Sequence, residues 1–238
     1  MAGLYDMRLR GIAVELLLAP PVIVDARSKL AFQSKLEQEA LIELTSVKKD
    51  ENNVVLTAGP KSTKSSFVVR MQPNQLSVAE NFPLTGTEQC VERINAVIRA
   101  AIAVFSPSLF VRTSVYVRKQ ALAPGLDARV FLGESVLQLS ESRKRAFGRP
   151  IHMVGMTFFL PPYQVQNADK AVVQQATDGI EVKVESLVED TKDVYFQCRR
   201  YFYEPLPAGE FTMLAEQVKS TEGFVNQQVV NFLLEQGD

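Results

Sequence analysis

Residues 9–27, LRGIAVELLLAPPVIVDAR, decide how the chain is read, because residues 111–129, VRTSVYVRKQALAPGLDAR, follow the same plan. Aligned without a gap, they share Arg10 with Arg112, Ala19 with Ala121, and Asp25-Ala26-Arg27 with Asp127-Ala128-Arg129. Each opens as a strand, meets a proline that cannot donate to a ladder, and reaches an aspartate suited to cap a helix. Each is then followed by similar material: a short helix, several strands and a long amphipathic helix. Internal repetition is therefore the first expectation. It predicts an α+β fold of two tandem strand-helix-strands-helix repeats, residues 1–107 and 108–238. Their strands would form one curved antiparallel sheet with the long helices on one face and the other face open.

In the first repeat, strand character over residues 8–18 ends at Pro20-Pro21, and Asp25 caps a helix. That helix is read with Leu30, Phe32 and Leu36 inward and Lys29, Lys35 and Glu39 in water. Leu41, Leu44 and Val47 open a strand region broken by the turn at residues 50–53, and residues 54–57 form a further short strand. Residues 59–64 are a polar loop. Phe67, Val69 and Met71 then alternate with Ser66, Val68 and Arg70, and Leu76 and Val78 continue the meander after Pro73-Asn74. Thr85 and Glu88 have capping-box spacing, and Val91, Ile94, Ile98, Ala101, Ile102 and Phe105 form one helical stripe that stops at Ser106-Pro107.

In the second repeat, residues 110–119 alternate Val111, Thr113, Val115 and Val117 with Arg112, Ser114, Tyr116 and Arg118. A helical region begins at Asp127, breaks near Gly133 or Ser140, and ends at Gly148 and Pro150. The apolar residues 151–160 predict a central strand stopped by Pro161-Pro162. The glutamine-rich residues 167–178 have no predicted state. Residues 179–189 and 194–203 alternate as a hairpin, and residues 211–234 form the last helix, with Phe211, Leu214, Val218, Val225, Val229, Phe232 and Leu233 on one side and Gly223 marking a bend.

The order of elements resembles the duplicated saddle of TATA-binding proteins. The resemblance is of order alone: no residue motif of that family is present, and its DNA contacts do not carry across. Residues 105–119, FSPSLFVRTSVYVRK, with the capped helix before them, are similar to part of a sporadically distributed bacterial family of uncharacterised proteins. That similarity covers about the middle third of the chain and implies no activity.

The composition is that of an ordinary globular protein: 46% hydrophobic and 22% charged residues argue against overall disorder. A net charge of −1 removes any global argument for a polyanion, although a local basic face is compatible with it. No apolar run is long enough to span a bilayer, and residues 12–24 are interrupted by Glu15, Pro20 and Pro21 without a convincing cleavage site after them. The expectation is a cytoplasmic protein with no membrane association.

The leading candidate site is the polar side of two strands, Arg112, Tyr116 and Arg118 on one and Tyr195, Arg199, Tyr201 and Tyr203 on the other. Arginines neutralise phosphates and tyrosine rings stack on unpaired bases, so such a face is compatible with nucleic acid. The plainer reading is a solvated antiparallel surface with cross-strand glutamates such as Glu181 and Glu185. Arg143-Lys144-Arg145, with Arg149 beyond, reads as a basic run meeting a helix dipole. His152, the single histidine, reads as structural within an apolar strand, and one histidine excludes a histidine-cluster metal site. Cys90 and Cys198 read as buried thiols, although arginines beside Cys198 would favour a lowered pKa. No Walker loop, dinucleotide fingerprint or catalytic carboxylate pair is present, so no catalytic, cofactor-binding or metal residues are expected.

These features favour a non-catalytic binding protein or assembly subunit that uses a sheet face or edge to engage a protein partner or itself. The alternatives are a nucleic-acid-binding module on the Arg/Tyr face and an enzyme whose site is not recognisable from sequence.

Overall fold

The computed structural model describes residues 4–39, 44–59, 63–166 and 172–235. In chain order these form β1 (Tyr5–Ala19), α1 (Ala26–Glu39), β2 (Leu44–Asp50), β3 (Asn53–Ala58), β4 (Ser66–Gln72), β5 (Gln75–Asn81) and α2 (Thr87–Phe105). There follow β6 (Leu109–Leu122), α3 (Ala128–Val130), α4 (Glu141–Arg145), β7 (Gly155–Leu160), β8 (Tyr163–Gln166), β9 (Val172–Ala176), β10 (Gly179–Ser186), β11 (Asp193–Phe202), β12 (Leu206–Pro207), α5 (Phe211–Phe224) and α6 (Val230–Leu234). The protein is α+β, with a large antiparallel sheet ordered β2-β3-β4-β5-β1-β6-β11-β10-β7, and β12 added beside β6. The β8–β9 hairpin is a separate small sheet.

The longest ladder joins β1 to β6 at the middle of this order, pairing Ile12 with Val117, Val14 with Val115 and Leu16 with Thr113. Outward from it the sheet runs β5, β4, β3, β2 on one side and β11, β10, β7 on the other. The ungapped alignment of residues 9–27 with 111–129 is not an equivalence of side-chain direction. It sets Ile12, Val14 and Leu16, all buried in the core, against Ser114, Tyr116 and Arg118, whose strand buries Val115 and Val117 on its other side. A one-residue shift flips every side chain of a strand to the opposite face, so the two strands are out of phase in that alignment. The two aspartates do share a role. Asp25 accepts from the Ser28 N–H at 2.7 Å, and Asp127 accepts from the N–H groups of Arg129 and Val130.

Period-two alternation puts one face of every central strand into the core. The larger buried cluster joins Ile12, Val14, Leu16, Leu56, Val69, Met71 and Val78 of the sheet to Phe32 and Leu36 of α1 and to Ile94, Val97 and Ile98 of α2. It also takes in Val115 and Val117 of β6 with Leu214 and Val218 of α5, so it crosses residue 107. A second cluster joins Val182, Val184, Phe196 and Cys198 to Phe131, Leu132, Val225, Val229 and Leu233. The C-terminal helix serves both clusters through a π-helical turn at Val225–Val229, which follows α5 and precedes α6. A π turn adds a residue to the helix and rotates the apolar stripe. Gly223 lies just before that turn.

Several expectations change. On α1, Lys29 is only 5% exposed whereas Leu30 is 59% exposed. The inward stripe is Lys29, Phe32 and Leu36, and the Lys29 ammonium is buried because its Nζ donates to the backbone carbonyls of Asp50 and Glu51 at 2.5 and 2.6 Å. The helix α2 is capped by Gly86 without a side-chain bond, and the Thr85 hydroxyl instead accepts from Arg93 at 2.6 Å. Residues 151–160 are not a central strand. Only residues 155–160 form a strand, and β7 lies at the end of the sheet order, paired among the described residues with β10 alone. Its apolar character comes from one side packing under the C-terminal helix, where the Phe158 and Phe232 rings meet edge to face at 5.1 Å. The helical region after Asp127 is α3, a π-helical turn at Phe131–Val136 and, beyond a break at residues 137–140, α4 capped by Ser140. Leu41, residues 60–62 of the loop 59–64 and residues 167–171 fall outside the described residues, while residues 172–176 are β9.

Candidate functional site

The side of β1, β6, β11 and β10 away from the main core carries the polar residues. Antiparallel pairing sets Arg199 of β11 between Tyr116 of β6 and Glu181 of β10. Six of the seven candidate residues, Arg112, Tyr116, Arg118, Tyr195, Arg199 and Tyr201, thus project from neighbouring strands to one face. Tyr203 lies just beyond the end of β11 and is exposed. None of the six is fully exposed; all are half-buried.

Arg199 is the centre of this face. Its guanidinium carbon lies 4.4 Å from the ring centroids of both Tyr116 and Tyr201, a double cation–π contact. Its Nη2 donates to Glu15 Oε2 at 2.9 Å, the same oxygen that accepts the Tyr116 hydroxyl at 3.0 Å. The Tyr201 hydroxyl donates to Glu181 at 3.1 Å. Burial pushes the Tyr116 phenol well above the usual tyrosine range, and the Glu15 charge pushes it further. Burial also raises Tyr201 and Tyr195. The arginine charge and both ring faces are therefore engaged within the protein. Glu15 was missed as a site residue although the sequence carries a signal for it: it is the one charge inside the apolar run IAVELLLA.

Arg118 belongs to a different neighbourhood. Its Nη2 donates to Asn81 Oδ1 at 2.7 Å, having crossed Gly11, where any Cβ would come within 2.7 Å of that nitrogen. Beside it opens a cleft of about 570 Å³, lined by Arg10, Lys64, Phe82, Arg118, Gln120 and Tyr195, with Glu189 and Asp190 on one lip. Arg10 Nε donates to Gln120 Oε1 at 2.5 Å. Gln120 in turn donates to the buried Asp193, which also accepts Arg8 at 2.7 Å. Arg112 is half-buried on the same face and pairs across to Leu17 of β1.

The remaining candidates are apart from this face. Lys144, in the middle of the basic run, is bound to Glu134 and Glu141 at 2.6 and 2.7 Å, and the run is the last turn of α4. His152 is exposed and precedes β7 without belonging to a strand, because the extended segment begins only at Gly155. Cys90 and Cys198 are both buried, and desolvation pushes each thiol up to about 12, outweighing Arg200 near Cys198. Among the described residues no group of three or more His, Cys, Asp or Glu is placed to hold a metal ion, and no helix is long and apolar enough to cross a membrane. No family model matches the chain, and no curated protein matches it.

Proposed function

We propose that this chain is a non-catalytic binding protein that assembles with a second copy of itself through the β7 edge of its sheet. The observation that carries this reading is the contrast between the two sheet edges. The β2 edge reads LTSVKKD and presents Lys48, Lys49 and Asp50, charges of the kind that blunt an edge against pairing. The β7 edge reads GMTFFL, without charge or proline, and leaves Phe159 61% and Leu160 44% exposed. Beside it an apolar groove of about 300 Å³ is lined by Phe158, Leu160, Val229 and Phe232 among others. Exposed apolar surface next to an unpaired strand is the usual material of a protein interface. A second copy is the occupant because two uncharged strands meet without repulsion and place like apolar sides together. In the same reading the chain is two tandem copies of one unit joined at β1 and β6, the order that the TATA-binding-protein-like saddle would have. The Arg/Tyr face is a weaker candidate for nucleic acid, since Arg199 is neutralised by Glu15.

Light scattering on the eluting protein tests this. The wild type is expected to be a dimer, and Phe159→Lys with Leu160→Lys to be monomeric with an unchanged circular dichroism spectrum and a melting temperature that no longer rises with protein concentration. A wild type that stays monomeric at every accessible concentration rules the reading out.

A further inference from the structure

We infer that the cleft between Arg10 and Arg118 is a binding site for a small organic phosphate whose other end is flat and aromatic, of the nucleoside monophosphate kind. The first ground is uncompensated charge. Arg8, Arg93, Arg199 and Arg200, half-buried as well, each meet a carboxylate, Asp193, Glu80, Glu15 and Asp178 respectively, and Arg112, which has no ion pair among the described residues, does not line this cleft. Arg10 and Arg118 are held instead by neutral amide oxygens, Gln120 Oε1 and Asn81 Oδ1, and make no ion pair among the described residues. A guanidinium pinned by an amide is oriented while keeping its full positive charge, which suits it to an anion with several oxygens. The Arg118 Nε is buried with no partner among the described residues, as are those of Arg8 and Arg199.

The second ground is that the amides are themselves fixed. Gln120 donates to Asp193, which turns its oxygen toward Arg10, and Asn81 donates to Ser66 at 3.0 Å, which turns its oxygen toward Arg118. Both guanidinium groups are thus positioned before any ligand arrives, which reduces the cost of ordering them on binding. Lys64 adds a third cation to the lining.

The third ground is the aromatic wall. Phe82 adopts φ 47, a conformation rarely held by a residue with a large side chain, and the residue remains 40% exposed with Arg10 at 5.7 Å from the ring centroid. Tyr195 supplies a second ring. Its phenol, raised by burial, is a neutral hydroxyl near neutral pH. Glu189 and Asp190 would repel phosphate, and Asp190 also accepts the Lys192 N–H at 3.3 Å. They suit hydroxyl or amino donors at the far end of the ligand. A volume of about 570 Å³ lies within the range of small-molecule sites.

Calorimetry on the full chain at low salt tests the site with AMP, adenosine, inorganic phosphate and a short single-stranded oligonucleotide. AMP is expected to bind at least tenfold tighter than adenosine or phosphate. Arg10→Gln and Lys64→Gln should each weaken AMP; Lys64 is exposed, so its variant reads the charge without touching the fold. Phe82→Gly, which suits the positive φ, should weaken AMP and leave phosphate unchanged. Absence of AMP binding at millimolar concentration, affinity unmoved by Lys64→Gln, or tighter binding of the oligonucleotide would each overturn the proposal. None of these results depends on the oligomeric state.

Discussion

Glu15 and Arg199 lie 184 positions apart in the chain and meet at 2.9 Å, the carboxylate of β1 closing a stack in which the guanidinium is held between the rings of Tyr116 and Tyr201. Because β6 separates β1 from β11, this contact ties three adjacent strands together across the middle of the sheet. It also gives the Arg/Tyr face its charge balance.

Glu15→Gln should therefore act on both stability and a titration. The pair is partly buried, so loss of the charge is expected to cost about 1–2 kcal/mol in urea unfolding, between the values for exposed and fully buried pairs. The Tyr116 phenol, raised first by burial and then by Glu15, should titrate lower in the variant yet still above an ordinary tyrosine. Tyrosinate absorbance, with Tyr116→Phe as the reference, reads this directly. The sign for the wild type follows from linkage. An unfolded tyrosine ionises near 10.0 while folded Tyr116 keeps its proton, so this contribution is complete below that pH and is lost as the pH rises toward the folded value.

Lys29 and Leu30 should respond in the opposite order from that implied by hydrophobicity. Lys29→Ala leaves the Asp50 and Glu51 carbonyls without their donor and is expected to destabilise by about 1–3 kcal/mol. Leu30→Lys, at an exposed helix position, should change stability by less than about 0.5 kcal/mol. Paired denaturant curves check both.

This pair of residues also shows what the sequence could carry. Strand alternation such as Phe67, Val69, Met71 and the β10–β11 hairpin were legible, because each side chain reports its face through a fixed period of two. The polar side of β6 and of β11 each followed from the same period, whereas their adjacency in the sheet did not. The direction of Lys29 was not legible, since it depends on carbonyls of the distant β2–β3 turn. Nor was the edge position of β7: an apolar run reads alike whether a second strand or a helix covers it. The role of Glu15 required knowing that β1 lies next to β6, and the cleft required loops from three separate parts of the chain to meet.

Cys90 and Cys198 are expected to be inert in the native protein. Both are buried with thiols pushed up to about 12, so a thiol reagent at about pH 8 should label neither until the chain unfolds. Their contribution to stability is complete below the ordinary thiol value of 9.0 and falls as the pH rises through the folded value. Rapid labelling of Cys198 under native conditions would contradict its burial.

The inert native thiols make cysteine cross-linking a clean measure of how two β7 edges would join. Met156, Phe158 and Leu160 project to one side of β7 and Thr157 and Phe159 to the other. In an antiparallel pair of identical strands, opposed residues share a face only when their numbers add to an even total. Centring the pair on Phe158 then sets Met156 against Leu160 of the second copy on the helix side, and Thr157 against Phe159 on the other. A variant carrying both Thr157→Cys and Phe159→Cys should oxidise to a covalent dimer at low protein concentration, because directly opposed Cβ atoms lie about 4.5–5.5 Å apart. Either single variant should cross-link far more slowly, since each cysteine would then face a native Phe159 or Thr157. Equal cross-linking of the single and double variants would show that the edges meet in another register, and no cross-linking of the double variant would show that Thr157 and Phe159 do not oppose each other.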